Sequence, residues 1–300
     1  MFTGCGTALV TPFSGDLSLD EPTLRKLVHR QLEAGIDFLV PCGTTGESPT
    51  LTRAEHLRVV EICLEESHGK TPVLAGAGGY NTTEVIALAQ ELEHMGVQGI
   101  LSVTPYYNKP TAEGVYQHYK AIAAATRLPL VVYNVPGRTN VNVAPDTLVR
   151  LAEIDNIVGV KEASGSMSQI VAILNRVPDG FTVLSGDDAL ALPMMALGGR
   201  GVISVASNVI PGQMGRLAEL GLAGDFAAAL ALHRELHALM EINFIETNPI
   251  PVKASMGLMG LLEPVFRLPL VPPTPESLEK IHTLLKSRGM IEGTYAAVRN

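Results

Sequence analysis

Lys161 closes an apolar, strand-forming run, Ile157-Val158-Gly159-Val160, and is followed by Glu162-Ala163-Ser164. An ammonium group is costly to bury. A lysine in this place therefore reaches water, pairs with a carboxylate or is neutral by design. Two readings stand side by side. One is a strand lysine held in a salt bridge, with the adjacent Glu162 as the first candidate. The other is a free amine that attacks a carbonyl carbon and forms a Schiff base. An iminium made with a ketone is an electron sink that acidifies the neighbouring carbon. Tyr133 could carry protons to and from the carbinolamine. Thr44 and Thr45, within Gly43-Thr44-Thr45-Gly46-Glu47-Ser48, offer hydroxyls and backbone N–H groups to a carboxylate, and the glycines permit close approach. Arg138 suits a second carboxylate, held bidentately. Two carboxylate sites around such a lysine point to two carboxylated substrates joined by an aldol-type step. Singly, each residue has a plainer reading: a satisfied turn, a packed ring, a rim salt bridge. It is their common placement that argues for chemistry.

That placement depends on the elements that carry them. Short β-rich runs alternate with helical patterns through the first three-quarters of the chain. The strand runs are Thr7 to Thr11, Phe38 to Cys42, Pro72 to Ala77, Ile100 to Thr104, Leu130 to Val135, Ile157 to Lys161, Thr182 to Ser185 and Gly201 to Ala206. Most are continuously apolar, as expected of parallel strands covered on both faces. Capping-box spacings start helices at Thr52 with Glu55, Asn81 with Glu84 and Ser166 with Gln169. Leu24, Leu27, Val28 and Leu32 have helical spacing, with Gly35 as the stop. Eight strands, each followed by a helix, predict an α/β fold of the (β/α)8 TIM-barrel type; a doubly wound sheet is the alternative. Beyond about Val209 the pattern is helical: Asp225 to Glu241, Asn248 to Leu262, and Thr274 to Ser287 after the Pro-rich joint Pro269 to Pro275. The expected division is a catalytic barrel over 1–224 and a C-terminal helical layer over 225–300.

A barrel gathers its chemistry at the C-terminal ends of its strands. There the sequence puts Thr44 and Thr45 after strand 2, Thr104-Pro105-Tyr106-Tyr107-Asn108 after strand 4, and Tyr133 to Thr139 after strand 5. Lys161 ends strand 6, Gly186-Asp187-Asp188 follows strand 7, and strand 8 carries Ile203 and Ser204.

Composition narrows the field. The 300 residues carry a net charge of −8 with no basic stripe, which argues against nucleic-acid binding. No run of ~18 apolar residues suggests a membrane span. Met1-Phe2-Thr3-Gly4 lacks the basic and apolar regions of a secretory signal, and Cys5, Cys42 and Cys63 lack metal spacing. Both observations predict a cytoplasmic protein with buried thiols. Three other motifs compete and fall short. Gly76-Ala77-Gly78-Gly79-Tyr80-Asn81 has Asn where a dinucleotide loop needs its third glycine. His233 and His237 are four apart on a helix but lack a third ligand nearby, so no metal is expected. Asp188 fits better as a helix cap than as a metal carboxylate.

Gly43-Thr44-Thr45-Gly46-Glu47, the Tyr133 position and Val160-Lys161-Glu162 resemble the marks of the class I pyruvate-dependent aldolases and lyases, over essentially the whole chain. Tyr106-Tyr107, Tyr133 to Thr139, and Asn248-Pro249-Ile250-Pro251-Val252-Lys253 narrow the resemblance further. They match the branch that condenses pyruvate with L-aspartate 4-semialdehyde to 4-hydroxy-tetrahydrodipicolinate, on the way to diaminopimelate and L-lysine. The resemblance implies a pyruvate Schiff base on Lys161 and a proton relay of Tyr133, Thr44 and Tyr107, with Tyr107 reaching the neighbouring subunit's site. It implies that Thr45 binds the pyruvate carboxylate, Arg138 the semialdehyde carboxylate, and that Ile203 and Gly186 line the pyruvate pocket. It implies no metal or organic cofactor, a homotetramer built from dimers, and inhibition by L-lysine at Ser48, His56, Glu84 and Tyr106. Two positions depart from inhibited relatives: Arg53 stands where His or Trp is common, and Tyr80 where Asn is usual. The alternatives are a sister aldolase of the N-acetylneuraminate or 2-keto-3-deoxy-sugar-acid type, and a non-catalytic lysine-binding sensor. Arg138 speaks against the first, because a polyhydroxy chain needs no carboxylate clamp. The intact Lys161, Tyr133, Thr44 and Tyr107 set speaks against the second.

Overall fold

An apolar run between two helices buries both its faces only inside a sheet that helices cover completely. The computed structural model, which describes residues 2–292, meets that demand with a barrel. Its strands are β1 (Gly4–Ala8), β2 (Phe38–Val40), β3 (Leu74–Gly76), β4 (Gly99–Val103), β5 (Leu130–Asn134), β6 (Ile157–Glu162), β7 (Thr182–Ser185) and β8 (Gly201–Ser204). They pair in parallel in the order β2-β1-β8-β7-β6-β5-β4-β3. A Leu39–Val73 bridge brings β2 to β3, with Leu39 N donating to Pro72 O and Gly76 N to Pro41 O, both at 2.9 Å. The helices outside are α1 (Glu21–Glu33), α2 (Arg53–Ser67), α3 (Thr82–Met95), α4 (Ala112–Ala125), α5 (Pro136–Thr139), α6 (Pro145–Ala152), α7 (Met167–Leu174), α8 (Ala191–Ala196) and α9 (Pro211–Leu222). A C-terminal layer adds α10 (Phe226–Glu241), α11 (Ile250–Leu258) and α12 (Pro275–Ser287). Among the described residues no helix is long and apolar enough to cross a membrane.

Strand alternation sorts side chains between two apolar regions. Val131 and Tyr133 of β5 join Phe38, Leu101, Leu184 and Ile203 in the barrel interior. Leu130 and Val132 face the helices, in the larger core between sheet and outer layer. Each fully buried aliphatic side chain there contributes about 1.5–3 kcal/mol. In β6 the alternation shifts: Leu130 pairs with Ile157, but Val131 pairs with Gly159, leaving Val158 as an extra residue. Ile157 and Val160, three apart, both face the helices. The bulge thereby turns Lys161 inward, opposite Tyr133 on one side and Leu184 on the other.

Several expectations are corrected. β1 runs three residues earlier than Thr7 to Thr11, through two glycines that strand propensity disfavours. Packing explains it: a Cβ on Gly6 would lie 2.1 Å from the Phe38 ring, so only glycine lets Phe38 cross the strand. β8 stops at Ser204, because the Asp188 carboxylate takes the next backbone donors, Val205 N at 3.0 Å and Ala206 N at 2.9 Å. Asp188 is therefore not the cap of α8, whose N-cap is Leu190. Burial raises its carboxyl above the usual range, against the Ser204 hydroxyl and the two backbone donors. Only Thr52 and Glu55 form the reciprocal capping box. Asn81 caps Thr83 N, and Ser166 caps Gln169 N while the Gln169 side chain turns to Asn142. The segment expected over Asn248 to Leu262 is helical only from Ile250 to Leu258.

Candidate active site

The strand ends converge as a barrel requires. Thr45, Tyr133, Arg138, Lys161, Gly186, Asp187 and Asn248 line one cavity of about 330 Å3, with Glu241 and Phe244 at its edge. A larger cavity, about 570 Å3, lies at the other end of β1 beside Thr3, Asp37 and Arg216 and includes none of these groups.

Lys161 is 5% exposed. Its Nζ lies 4.3 Å from the centroid of the Tyr133 ring. Among the described residues no carboxylate pairs with it. Glu162 is occupied elsewhere: Oε2 accepts from Asn134 Nδ2 at 2.9 Å and Oε1 from Ser164 N at 2.8 Å. The salt-bridge reading of Lys161 is thereby removed. Gly186 sits against the amine's stem, where an added Cβ would be 3.1 Å from Lys161 Cε and 2.6 Å from Ala163 Cβ. Any side chain at 186 would crowd Lys161.

Thr45 is nearly fully buried, and its Oγ1 accepts from Asn248 Nδ2 at 3.0 Å. That bond leaves the hydroxyl proton available to a ligand. Arg138 lies on α5, immediately after β5, and Nη2 donates to Asn248 O at 3.0 Å. An amine, a phenol, a hydroxyl and a guanidinium thus line one space.

Other expected residues lie outside that cavity. Thr44 lines an adjoining one of about 150 Å3, with Arg138 and Asn248 shared between the two. Ile203 is fully buried in the barrel interior beside Tyr133. Tyr107 is 88% exposed, with φ +53, and its ring centroid is 6.4 Å from that of Tyr80. The chain alone does not bring it to Lys161.

Ser48 opens a 3-10 turn after Glu47, and Glu84 accepts from Asn81 Nδ2 at 3.0 Å. Tyr106 packs edge-on to Tyr80 at 5.1 Å, and burial raises its phenol. His56 is buried, and burial lowers its imidazole to about 4, so it is neutral near pH 7. Its Nε2 lies 2.9 Å from Gly76 O, which makes Nε2–H the donor and leaves Nδ1 an acceptor. Arg53 is not a free cation: its Nε meets Glu91 Oε2 at 3.0 Å. His233 and His237 stack at 5.9 Å, with His233 Nε2 on Ala189 O. Among the described residues no group of three or more metal-ligating side chains is gathered.

Sequence reasoning missed Asn248 as an individual residue, though it hydrogen-bonds both Thr45 and Arg138. It also missed Glu241 and Phe244, which reach the mouth from the C-terminal layer. A helical lysine, Lys253, among Ile250, Val252 and Ala254 was the available signal that this layer meets the site.

The chain matches the model of the dihydrodipicolinate synthetase family over residues 1–288. It is 52% identical over 296 residues to a 4-hydroxy-tetrahydrodipicolinate synthase of Chloroherpeton thalassium, covering 98% of both chains. Among solved structures it is similar to a chloride-inhibited dihydrodipicolinate synthase from Acinetobacter baumannii complexed with pyruvate. That match has a TM-score of 0.95 and 43% identity, covering 97% of this chain and 100% of that one. It is also similar to a synthase from Cyanidioschyzon merolae with lysine bound, with a TM-score of 0.93 and 39% identity, covering 97% and 99%.

Proposed function

The chain belongs to the dihydrodipicolinate synthetase family, and on that premise we infer that it is a lyase condensing pyruvate with L-aspartate 4-semialdehyde to 4-hydroxy-tetrahydrodipicolinate. The observation that carries this reading is a buried lysine amine, paired with no carboxylate among the described residues, in one cavity with Thr45 and Arg138. Lys161 Nζ attacks the C2 carbonyl of pyruvate; water leaves and an iminium remains. Loss of a proton from C3 gives the enamine, which attacks the aldehyde carbon of the second substrate. Cyclisation through the semialdehyde's amino group then releases Lys161 as a free amine. Tyr133, beside the amine, moves protons at the carbinolamine, in relay with Thr44 and with Tyr107 from a neighbouring subunit. Thr45 binds the pyruvate carboxylate, Gly186 and Ile203 shape its pocket, and Arg138 clamps the semialdehyde carboxylate.

The protein needs no metal or organic cofactor in this scheme, because the iminium itself is the electron sink. It serves diaminopimelate and L-lysine synthesis in the cytoplasm as a tetramer of two dimers. L-lysine would inhibit it at Ser48, His56, Glu84 and Tyr106; the lysine-bound relative supports lysine as a ligand of such a protein. Neutral His56 offers Nδ1 to the ligand's side-chain ammonium, and Glu84 offers its carboxylate to the amino group.

Borohydride trapping tests the core of the reading. With pyruvate, reduction should leave a stable pyruvate-derived adduct on Lys161, seen by peptide mass spectrometry and unaffected by chelator. A folded protein that traps nothing would remove the Schiff-base assignment.

A further inference from the structure

The C-terminal layer contributes a charge that the scheme above does not use. Lys253 and Glu47 form an ion pair at 2.6 Å, with both side chains fully buried. Lys253 Nζ also donates to Val265 O at 2.6 Å and lies over the rings of Phe13 and Phe266, at 4.5 and 5.1 Å. Glu47 Oε2 is buried with no partner, so Lys253 is the group that balances this carboxylate. A buried pair is a poor means of simple stabilisation, because apolar residues of equal volume serve as well or better. Its place in the chain suggests another use. Glu47 has left-handed backbone angles, φ +53 and ψ +35, which a non-glycine residue holds only where its surroundings enforce them. It ends the turn Gly43-Thr44-Thr45-Gly46, in which Gly46 N bonds Gly43 O and Glu47 N bonds Thr44 O, each at 3.1 Å. Five residues before Lys253, Asn248 holds Thr45 itself. One segment thus grips the turn at residues 45 and 47, on either side of Gly46.

We propose that the Glu47–Lys253 pair is a positioning pair for the carboxylate subsite after β2, holding Thr45 at the distance from Lys161 that pyruvate requires. The inference rests on the reading of this cavity as a pyruvate Schiff-base site.

Three variants test it: Lys253→Met, Glu47→Gln, and the two combined. The direct readout is the pyruvate concentration that half-saturates borohydride trapping on Lys161, with melting temperature followed beside it. Lys253→Met leaves a buried carboxylate unbalanced, so both readouts should suffer. The double variant has no buried charge and should melt close to the parent. Its half-saturating pyruvate should stay raised about tenfold, because the tether is gone, while the KM for the semialdehyde changes less than about threefold. Glu47→Gln keeps shape and one hydrogen bond, and should show a smaller rise in the same direction. Double-variant trapping that returns to parental pyruvate dependence would make the pair purely structural and overturn the proposal. So would equal shifts for both substrates, which would mean a general loosening of the mouth. Should Lys253→Met not fold, the other two variants decide. Failure of the parent to trap pyruvate would instead strike the functional reading itself.

Discussion

The two sides of the barrel mouth are built to different degrees by one chain. On the β5-to-β8 side, Tyr133, Lys161, Gly186 and Arg138 meet in a single cavity, packed by neighbouring strands and a short helix. On the β2-to-β4 side only Thr45 reaches that cavity. Thr44 opens into the adjoining space, and Tyr107 stands 88% exposed on a left-handed turn. The first side thus brings together within one chain the groups that the proposed Schiff-base chemistry and carboxylate binding would use. A proton relay through Tyr107 requires a second copy, in keeping with a symmetric dimer that exchanges one residue between sites.

The sharpest way to break this comparison is subunit mixing. Lys161→Ala should reduce condensation by at least about a thousandfold, and Tyr107→Phe by about ten- to a hundredfold. If Tyr107 acts across the interface, mixed dimers of the two variants hold one intact site. Equal mixing after dissociation and reassociation should then recover about a quarter of the parent rate. No recovery, with mixed dimers shown to form by mass spectrometry, would place Tyr107 in its own chain's site or outside the relay.

The same contrast separates what was legible in the sequence from what was not. Strand runs, helix caps and the residues at strand ends were readable, because alternation, capping chemistry and barrel geometry are local rules. The inward turn of Lys161 was not. It depends on a bulge at Val158, and in a continuously apolar strand either face could hold the lysine. The start of β1 was hidden because Gly4 and Gly6 are poor strand formers, retained for Phe38 and Asp37 beside them. Asp188 carries the right residue type for a cap, yet it bonds backbone donors seventeen and eighteen residues away. The Asn248–Thr45 bond spans 203 positions and the Lys253–Glu47 pair 206, so no local pattern announces them. The part expected of Tyr107 came only through the family resemblance, since exposure and a missing partner leave no trace in local sequence pattern.

A smaller effect belongs to Arg138, at the boundary of the two cavities. Arg138→Ala removes the proposed carboxylate clamp but leaves Lys161, Tyr133 and Thr45 in place. The KM for L-aspartate 4-semialdehyde should rise about ten- to a hundredfold, with pyruvate trapping on Lys161 close to the parent. Unchanged semialdehyde kinetics would return weight to a sister aldolase whose acceptor carries no carboxylate. Weakened trapping as well would assign Arg138 to pyruvate.

The remaining expected effect is on stability rather than on turnover. His56 on α2 and His118 on α4 are both held near pKa 4 by burial, a Gly76 carbonyl contact partly opposing the shift at His56. The unfolded chain protonates the same rings near pH 6.5. Between those values the unfolded state binds more protons, so stability is intact above about pH 6.5 and lost as pH falls toward 4. Each histidine accounts for roughly 2–3 kcal/mol of that loss at pH 4.5. Glu55, lowered to about 2 chiefly by Arg267, acts in a separate window, below its ordinary value of 4.5. Melting temperature should therefore drop between pH 7 and pH 4.5. His56→Gln, which keeps a donor for Gly76 O, should reduce that drop by on the order of 5 °C. An equal drop in parent and variant would mean that native His56 takes up its proton near pH 6.5.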